Sequence, residues 1–201
     1  MTFNNKEERI KDFKTLFTNN YRPSTFEKYF ENKPFMEWLE NDGFFTAPAS
    51  TKYHGAYEGG LYDHSREVTA FLNQMTWNMG LEWQREESPF IIGMFHDICK
   101  YDQYIKSKGT RLNGSDVLIY GDGLYHYEYN SNTPLKGHGA KSVMILSQFI
   151  TLTEEEILCI RYHMGAYEKE EWAEYDLAIK KYPNVLFTHT ADMYASKIME
   201  K

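Results

Sequence analysis

The sequence predicts an all-α fold, a helical bundle with one small β-hairpin insertion. Three observations predict it. Apolar residues recur every three or four positions in several segments, those segments open and close on helix start and stop residues, and strict alternation is confined to one short stretch. A chain of 201 residues, 42% hydrophobic and 25% charged, supports a folded domain with its own core rather than wholesale disorder. With no internal repeat and no Pro/Gly-rich linker, it reads as one globular unit. Residues 1–50 form a helical arm packed on a core built from residues 51–201.

In chain order, Lys6 to Phe17 and Thr25 to Leu39 read as short amphipathic helices, interrupted near Arg22-Pro23 and again at Lys33-Pro34. Asn41-Asp42-Gly43 ends this arm, and an aromatic, Gly-rich connection leads on to Gly60. From Gly60 to Met79 the residues Leu61, His64, Val68, Phe71, Leu72 and Met75 share a helical stripe, which turns His64 inward. Ser88-Pro89, cap then first-turn proline, starts a helix expected to run through His96, Asp97 and Lys100 to Tyr104. Val117 to Tyr120 and Leu124 to Tyr129 alternate around Gly121-Asp122-Gly123, a hairpin read as surface decoration.

Helix resumes near Gly137 with His138, Ser142, Ile145 and Phe149 on one face. Thr153 and Glu156 make a capping box for a helix that carries Ile157 and Ile160 and ends at His163, before Gly165. The acidic run Glu168 to Glu174 reads as a solvated face. Pro183-Asn184 then opens a last helix on which Val185, His189, Asp192 and Ser196 are spaced by three or four residues.

Composition excludes several classes of function. A net charge of -7 opposes the backbone of a long nucleic acid but leaves a nucleotide open to a site whose metal supplies positive charge. No apolar run approaches a membrane span and the N-terminal residues lack a secretory pattern, so the expected location is cytoplasmic, with no membrane partner. Cys99 and Cys159 fall in apolar helical patterns and read as buried thiols.

Five of the seven histidines, with Asp97 and Asp192, occupy inward-facing or helix-end positions on separate helices. A buried carboxylate is costly unless it is paired or binds a cation, and neither aspartate has an obvious basic neighbour in sequence. A metal resolves that cost. Imidazole with carboxylate suits Mn, Fe, Zn, Co or Ni, in one ion or two. On a continuing helix His96 and Asp97 would point about 100° apart, leaving Asp97 able to bridge to a second ion.

The segments GGLYDHSREV, HDICK and THTADMYASK resemble, in order and spacing, the HD-domain phosphohydrolase superfamily, named for its His-Asp doublet. The resemblance implies the metal ligands His64, His96, Asp97 and Asp192. A dinuclear subset adds two histidines, which fall on His138 in LKGHGAKSV and His163 in IRYHMG. From Tyr53 to Lys197 the motif order is similar to the HD domain of certain 3′-to-5′ exoribonucleases. It departs from them in lacking a recognisable OB domain and in placing Cys99 where glycine is commoner.

The implied activity is metal-dependent hydrolysis of a phosphomonoester or phosphodiester in a nucleotide or short oligonucleotide. The alternatives are a nucleoside triphosphate triphosphohydrolase and a non-catalytic metal-binding regulatory module. Asp97 and Lys100 are the expected catalytic residues, with Lys100, His54 and Arg66 facing substrate. His189 is either an outer partner of the centre or a packing residue, and His126 is expected to be exposed.

Overall fold

The computed structural model describes residues 3–21, 33–109, 118–120, 123–135, 137–166 and 171–199. The expectations at Arg22-Pro23, at residues 25–32, at Val117, at Gly121-Asp122 and at Glu168 to Glu170 lie outside these residues. Helix α1 (Lys6–Asn20) starts where Asn5 Oδ1 accepts the Glu8 N–H at 2.9 Å, an N-cap with Glu7 and Glu8 complementing the helix dipole. Helix α2 (Lys33–Asn41) has Lys33-Pro34 in its first turn. Proline fits the first turn, where its missing N–H costs nothing.

Helix α3 has the expected bounds, Gly60–Met79. Its start explains the Gly-Gly that precedes it. Gly59 has φ 85°, and a Cβ there would stand 2.0 Å from the Arg9 guanidinium carbon. Arg9 lies in that space, its Nε donating to Asp63 Oδ1 at 3.1 Å, while the Tyr57 hydroxyl donates to Asp63 Oδ2 at 2.9 Å. Helix α1 is thereby pinned one residue before His64. The α1 rings Phe13 and Phe17 continue the junction into the core, edge-on or tilted against Phe45, Phe90 and Phe95.

Helix α4 (Ser88–Phe95) is shorter than predicted. His96 closes it, Asp97 leaves helical geometry at φ -104° and ψ 13°, and a 3-10 helix occupies Ile98–Asp102. The aromatic and β-branched Tyr104-Ile105 then favours extended backbone. Strands β1 (Tyr104–Lys108), β2 (Leu118–Tyr120) and β3 (Gly123–Tyr129) form an antiparallel sheet of order β1-β3-β2. The expected hairpin is therefore its β2-β3 half, with an edge strand taken from the anticipated helix. Tyr125 and Tyr127 are buried, so it is more than a surface decoration. His126 is also not exposed: 12% of its side chain is accessible, and Nδ1 lies 3.0 Å from the Gly109 carbonyl oxygen.

Helix α5 (Gly139–Leu146) begins one residue after His138, which is its N-cap rather than part of its face. Helix α6 (Glu154–Arg161) carries both arms of the Thr153/Glu156 capping box. Helix α7 (Trp172–Lys181) was hidden by reading the acidic run only as a solvated face. The last helix, α8 (Asn184–Lys197), packs on α3, α6 and α7. Cys99 and Cys159 are free and buried, as expected. Among the described residues no helix is long and apolar enough to cross a membrane.

Glu156 holds together more than its cap. Wholly buried, it accepts from Arg85 Nε at 2.7 Å, Arg85 Nη2 at 2.6 Å, Ser88 Oγ at 2.8 Å and the Thr153 N–H at 2.9 Å. Ser88, expected to cap α4, instead ties α4 to α6 through this carboxylate. Removing one partner from a buried charge cluster strands the others. Glu156→Ala is expected to lower unfolding free energy by about 3 kcal/mol in urea denaturation. A loss under about 1 kcal/mol would show the network to be a surface-type pair.

Candidate metal centre

Six of the residues singled out in the sequence converge: His64 from α3, His96 and Asp97 from the end of α4, His138 before α5, His163 after α6 and Asp192 from α8. Their donor atoms fall into three overlapping groups within 4.8 Å: His64-His96-Asp97, His96-His163-Asp192 and Asp97-His138-His163. All but His138 are buried, and 26% of the His138 side chain is accessible, so the cluster opens to solvent on that side.

Asp97 stands at the centre, with one oxygen toward each half. Its Oδ2 lies 3.6 Å from His96 Nε2 and 3.7 Å from His64 Nε2, and its Oδ1 lies 2.7 Å from His138 Nε2 and 3.3 Å from His163 Nε2. Asp192 Oδ1 joins the first half, 3.1 Å from His64 Nε2 and 3.9 Å from His96 Nε2. This reach depends on the break after α4. The expectation of two side chains about 100° apart on a continuing helix is replaced by a residue in the sparsely occupied bridge region.

Two of the rings are oriented by the same device. His96 Nδ1 donates to Gly93 O at 2.8 Å, and His163 Nδ1 donates to Ile160 O at 2.7 Å. A proton fixed on Nδ1 leaves Nε2 as a lone pair aimed into the cluster. His189, on α8, donates from Nδ1 to His163 O at 2.7 Å, so it steadies the turn carrying His163 rather than touching Asp192. His138 instead has Cys99 Sγ 3.6 Å from its Nδ1.

Asp97 Oδ1, His138 Nε2 and His163 Nε2 are buried, close together and without a hydrogen-bond partner of acceptable direction among the described residues. His64 Nε2 faces His96 Nε2 at 3.2 Å. Nitrogen lone pairs face each other this way only around a shared proton or cation. Ligand bonds of about 2.1 Å place neighbouring donors about 3–3.5 Å apart, close to most of the separations here. The residues fit a metal ion.

The electrostatics follow from burial and these neighbours. Burial lowers the His96 imidazole to about 3, and it also lowers His138. Burial opposes charge on His163 too, but Asp97 and Asp192 outweigh it and raise that ring. Burial alone would push the Asp97 carboxyl up; Lys100, His138 and His96 together hold it well below the usual range. Asp192 is likewise held down against burial, chiefly by His64.

Lys100 and His54 belong to the same region, and Arg66 does not. Lys100 Nζ is 2.6 Å from Asp97 Oδ2. The His54 ring lies 4.9 Å from that of His64, and burial lowers it to about 4, keeping it neutral. Arg66 Nε instead bonds Asp12 Oδ2 at 2.7 Å, with its guanidinium over Phe3. A cleft of about 380 Å³ opens on the centre, with Tyr53, His54, Lys100, Tyr104, Tyr129 and Lys197 among its lining residues. Tyr104, Tyr129 and Lys197 were not singled out in the sequence. Two come from the sheet, whose edge strand was unrecognised, and a lysine near a helix end carries no distinctive signal.

The fold and the cluster together define a mostly helical protein with a buried histidine-aspartate centre that could hold a metal ion. The chain matches no protein-family model, no curated protein and no solved structure.

Purified protein is expected to carry a divalent transition metal by elemental analysis, and Asp97→Ala to carry none. Normal metal content in that variant would remove Asp97 from the centre. Chelation is expected to lower the melting temperature of the wild type by roughly 5–10 °C, since a ligand at 100 times its Kd contributes about 2.7 kcal/mol.

Proposed function

We propose that this protein is an HD-type, metal-dependent phosphohydrolase acting on a phosphate ester of nucleotide size. The single observation that carries the reading is the placement of Asp97, one carboxylate oxygen toward His64 and His96 and the other toward His138 and His163. A carboxylate so shared is suited to two cations side by side, an arrangement common to hydrolysis at phosphorus. His64, His96 and Asp192 with Asp97 Oδ2 would hold one ion, and His138 and His163 with Asp97 Oδ1 a second. Mn, Fe, Zn, Co and Ni all suit these donors. Bound there, such an ion supplies a Lewis acid for phosphoryl oxygens and lowers the pKa of water toward neutrality.

The chain's own residues do the rest. Lys100 carries a buried ammonium at the cleft floor. Burial works against that charge, but Asp97 more than restores it, so the lysine is protonated at neutral pH. It is placed to attract a phosphoryl oxygen and to stabilise the charge that gathers there. His54, neutral and beside the centre, can bond an ester or phosphoryl oxygen without adding charge. Tyr104 and Tyr129, 5.2 Å apart at their ring centroids, form an aromatic wall that suits a planar base or a sugar face.

The direct test is product release from nucleoside mono- and triphosphates, cyclic nucleotides and short RNA in the presence of manganese. Turnover by the wild type and none by Asp97→Ala is the expected outcome. Release of inorganic phosphate, of a nucleotide or of triphosphate separates monoesterase, diesterase and triphosphohydrolase. Lys100→Ala is expected to lower kcat by about 10²-fold, the usual loss for one charge-stabilising donor, with metal content unchanged. Equal kinetics would reduce Lys100 to a counter-ion of Asp97.

A further inference from the structure

The metal centre does not close the end of its cleft. Beyond Tyr53 and His54 the cleft continues into a depression of about 390 Å³ that also includes Ser196 and Lys197. On the other side of His138 and Met164, which border both spaces, lies a third cavity of about 450 Å³. The centre therefore stands midway along a groove.

The two arms differ in chemistry. The Tyr53 arm is aromatic and basic, with Lys197 making no ion pair among the described residues. The other arm runs over the start of α5, where Gly137, Gly139 and Ala140 offer backbone and almost no side chain. Gly139 is required there: a Cβ would stand 2.3 Å from the Arg161 carbonyl oxygen, so the α5 start lies directly on the end of α6. Arg161 and Glu171 border this arm, and Met164 supplies an apolar wall. A cation and a carboxylate together favour a polar, uncharged group over a second phosphate.

A phosphomonoester has one substituent and fills one arm. We propose that the physiological substrate is a phosphodiester whose phosphorus sits at the centre, with one nucleoside-sized substituent along the Tyr53–Lys197 arm and the other over Gly137–Ala140 toward Arg161. This rests on the phosphohydrolase reading above and narrows it. Hydrolysis adds one water: a P–O ester bond breaks, the attacking water oxygen stays on phosphorus, and a proton goes to the departing alkoxide.

The test compares a dinucleoside monophosphate with the matching mononucleotide, using manganese-loaded wild type, Lys197→Ala and Ala140→Trp. Ala140 is exposed, so the bulky variant obstructs its arm without disturbing the core. For the dinucleotide, kcat/KM is expected to exceed that of the mononucleotide by at least about tenfold. Lys197→Ala is expected to raise the dinucleotide KM by roughly fivefold, as for one solvent-screened charge contact, and Ala140→Trp by at least as much. For the mononucleotide, at most one of the two variants changes KM.

Preference for the mononucleotide, or a dinucleotide KM insensitive to either variant, overturns the two-armed groove and leaves the phosphohydrolase reading standing. Failure of wild type to cleave either ester, with metal content intact, overturns that reading and this inference with it.

Discussion

A carboxylate taken out of water where the chain stops being helical is the constraint around which this molecule is organised. Asp97 is almost wholly buried, its near neighbours within the cluster are four histidines and one lysine, and a second carboxylate, Asp192, lies against His64 and His96. Counting fixed charge, two carboxylates face one ammonium. Burial of that kind costs several kcal/mol per ion unless cations complete the balance. Burial holds the His96 ring neutral, lowering it to about 3, and lowers His138 as well, so these two rings do not supply the missing charge, even though the carboxylates favour charge on His163. A divalent ion could supply what the side chains lack, at the point where Asp97 Oδ1, His138 Nε2 and His163 Nε2 converge.

Holding the rings still is the second requirement, and it is met by using up the loose ends of helices. The last carbonyls of a helix have no intrahelical donor. His96 and His163 each sit just past a helix end and donate Nδ1–H to the carbonyl three residues earlier, Gly93 O and Ile160 O. One bond satisfies an orphan carbonyl, selects the tautomer and aims Nε2. His189 extends the device by one layer through His163 O. The short helices α4 and α6 are thus part of the site's construction: each ends where it does so that a histidine can close it.

How much of this was legible in the sequence depends on range. His64 and Asp192 lie inside long helices, where 3.6-residue periodicity is reliable, and both face the cluster. The Thr153/Glu156 capping box is local chemistry and is present in full. The end of α4 was not legible, because FHDICKYDQY keeps good helical periodicity; only the tertiary demand on Asp97 breaks it. Strand β1 was lost for the same reason, and with it the cleft residue Tyr104. Arg66 fails in the opposite sense. Two residues from His64, it was assigned to substrate from charge alone, yet a helix turns i+2 to another face, where Asp12 on α1 takes it. Nothing in the local sequence announces Asp12, and none of the long-range partners of Glu156, about 70 residues away, could be read before the helices were assembled.

Net charge was the least informative part of the sequence for the site itself. The chain carries -7, which opposes a long polyanion on the surface as a whole. Along the cleft the formal charges cancel instead of summing to an excess of acid: Lys100 and Lys197 are among the lining residues, and the carboxylates there are those of Asp97 and Asp192, both committed to the cluster. A small anion samples the field of the cleft walls, because charges farther away than about 8–10 Å are screened at ordinary ionic strength. An acidic exterior and a cleft ready for cations are compatible for that reason. The acidic exterior opposes a polyanion at long range, while a metal ion held by the histidines and aspartates would add positive charge to the cleft itself.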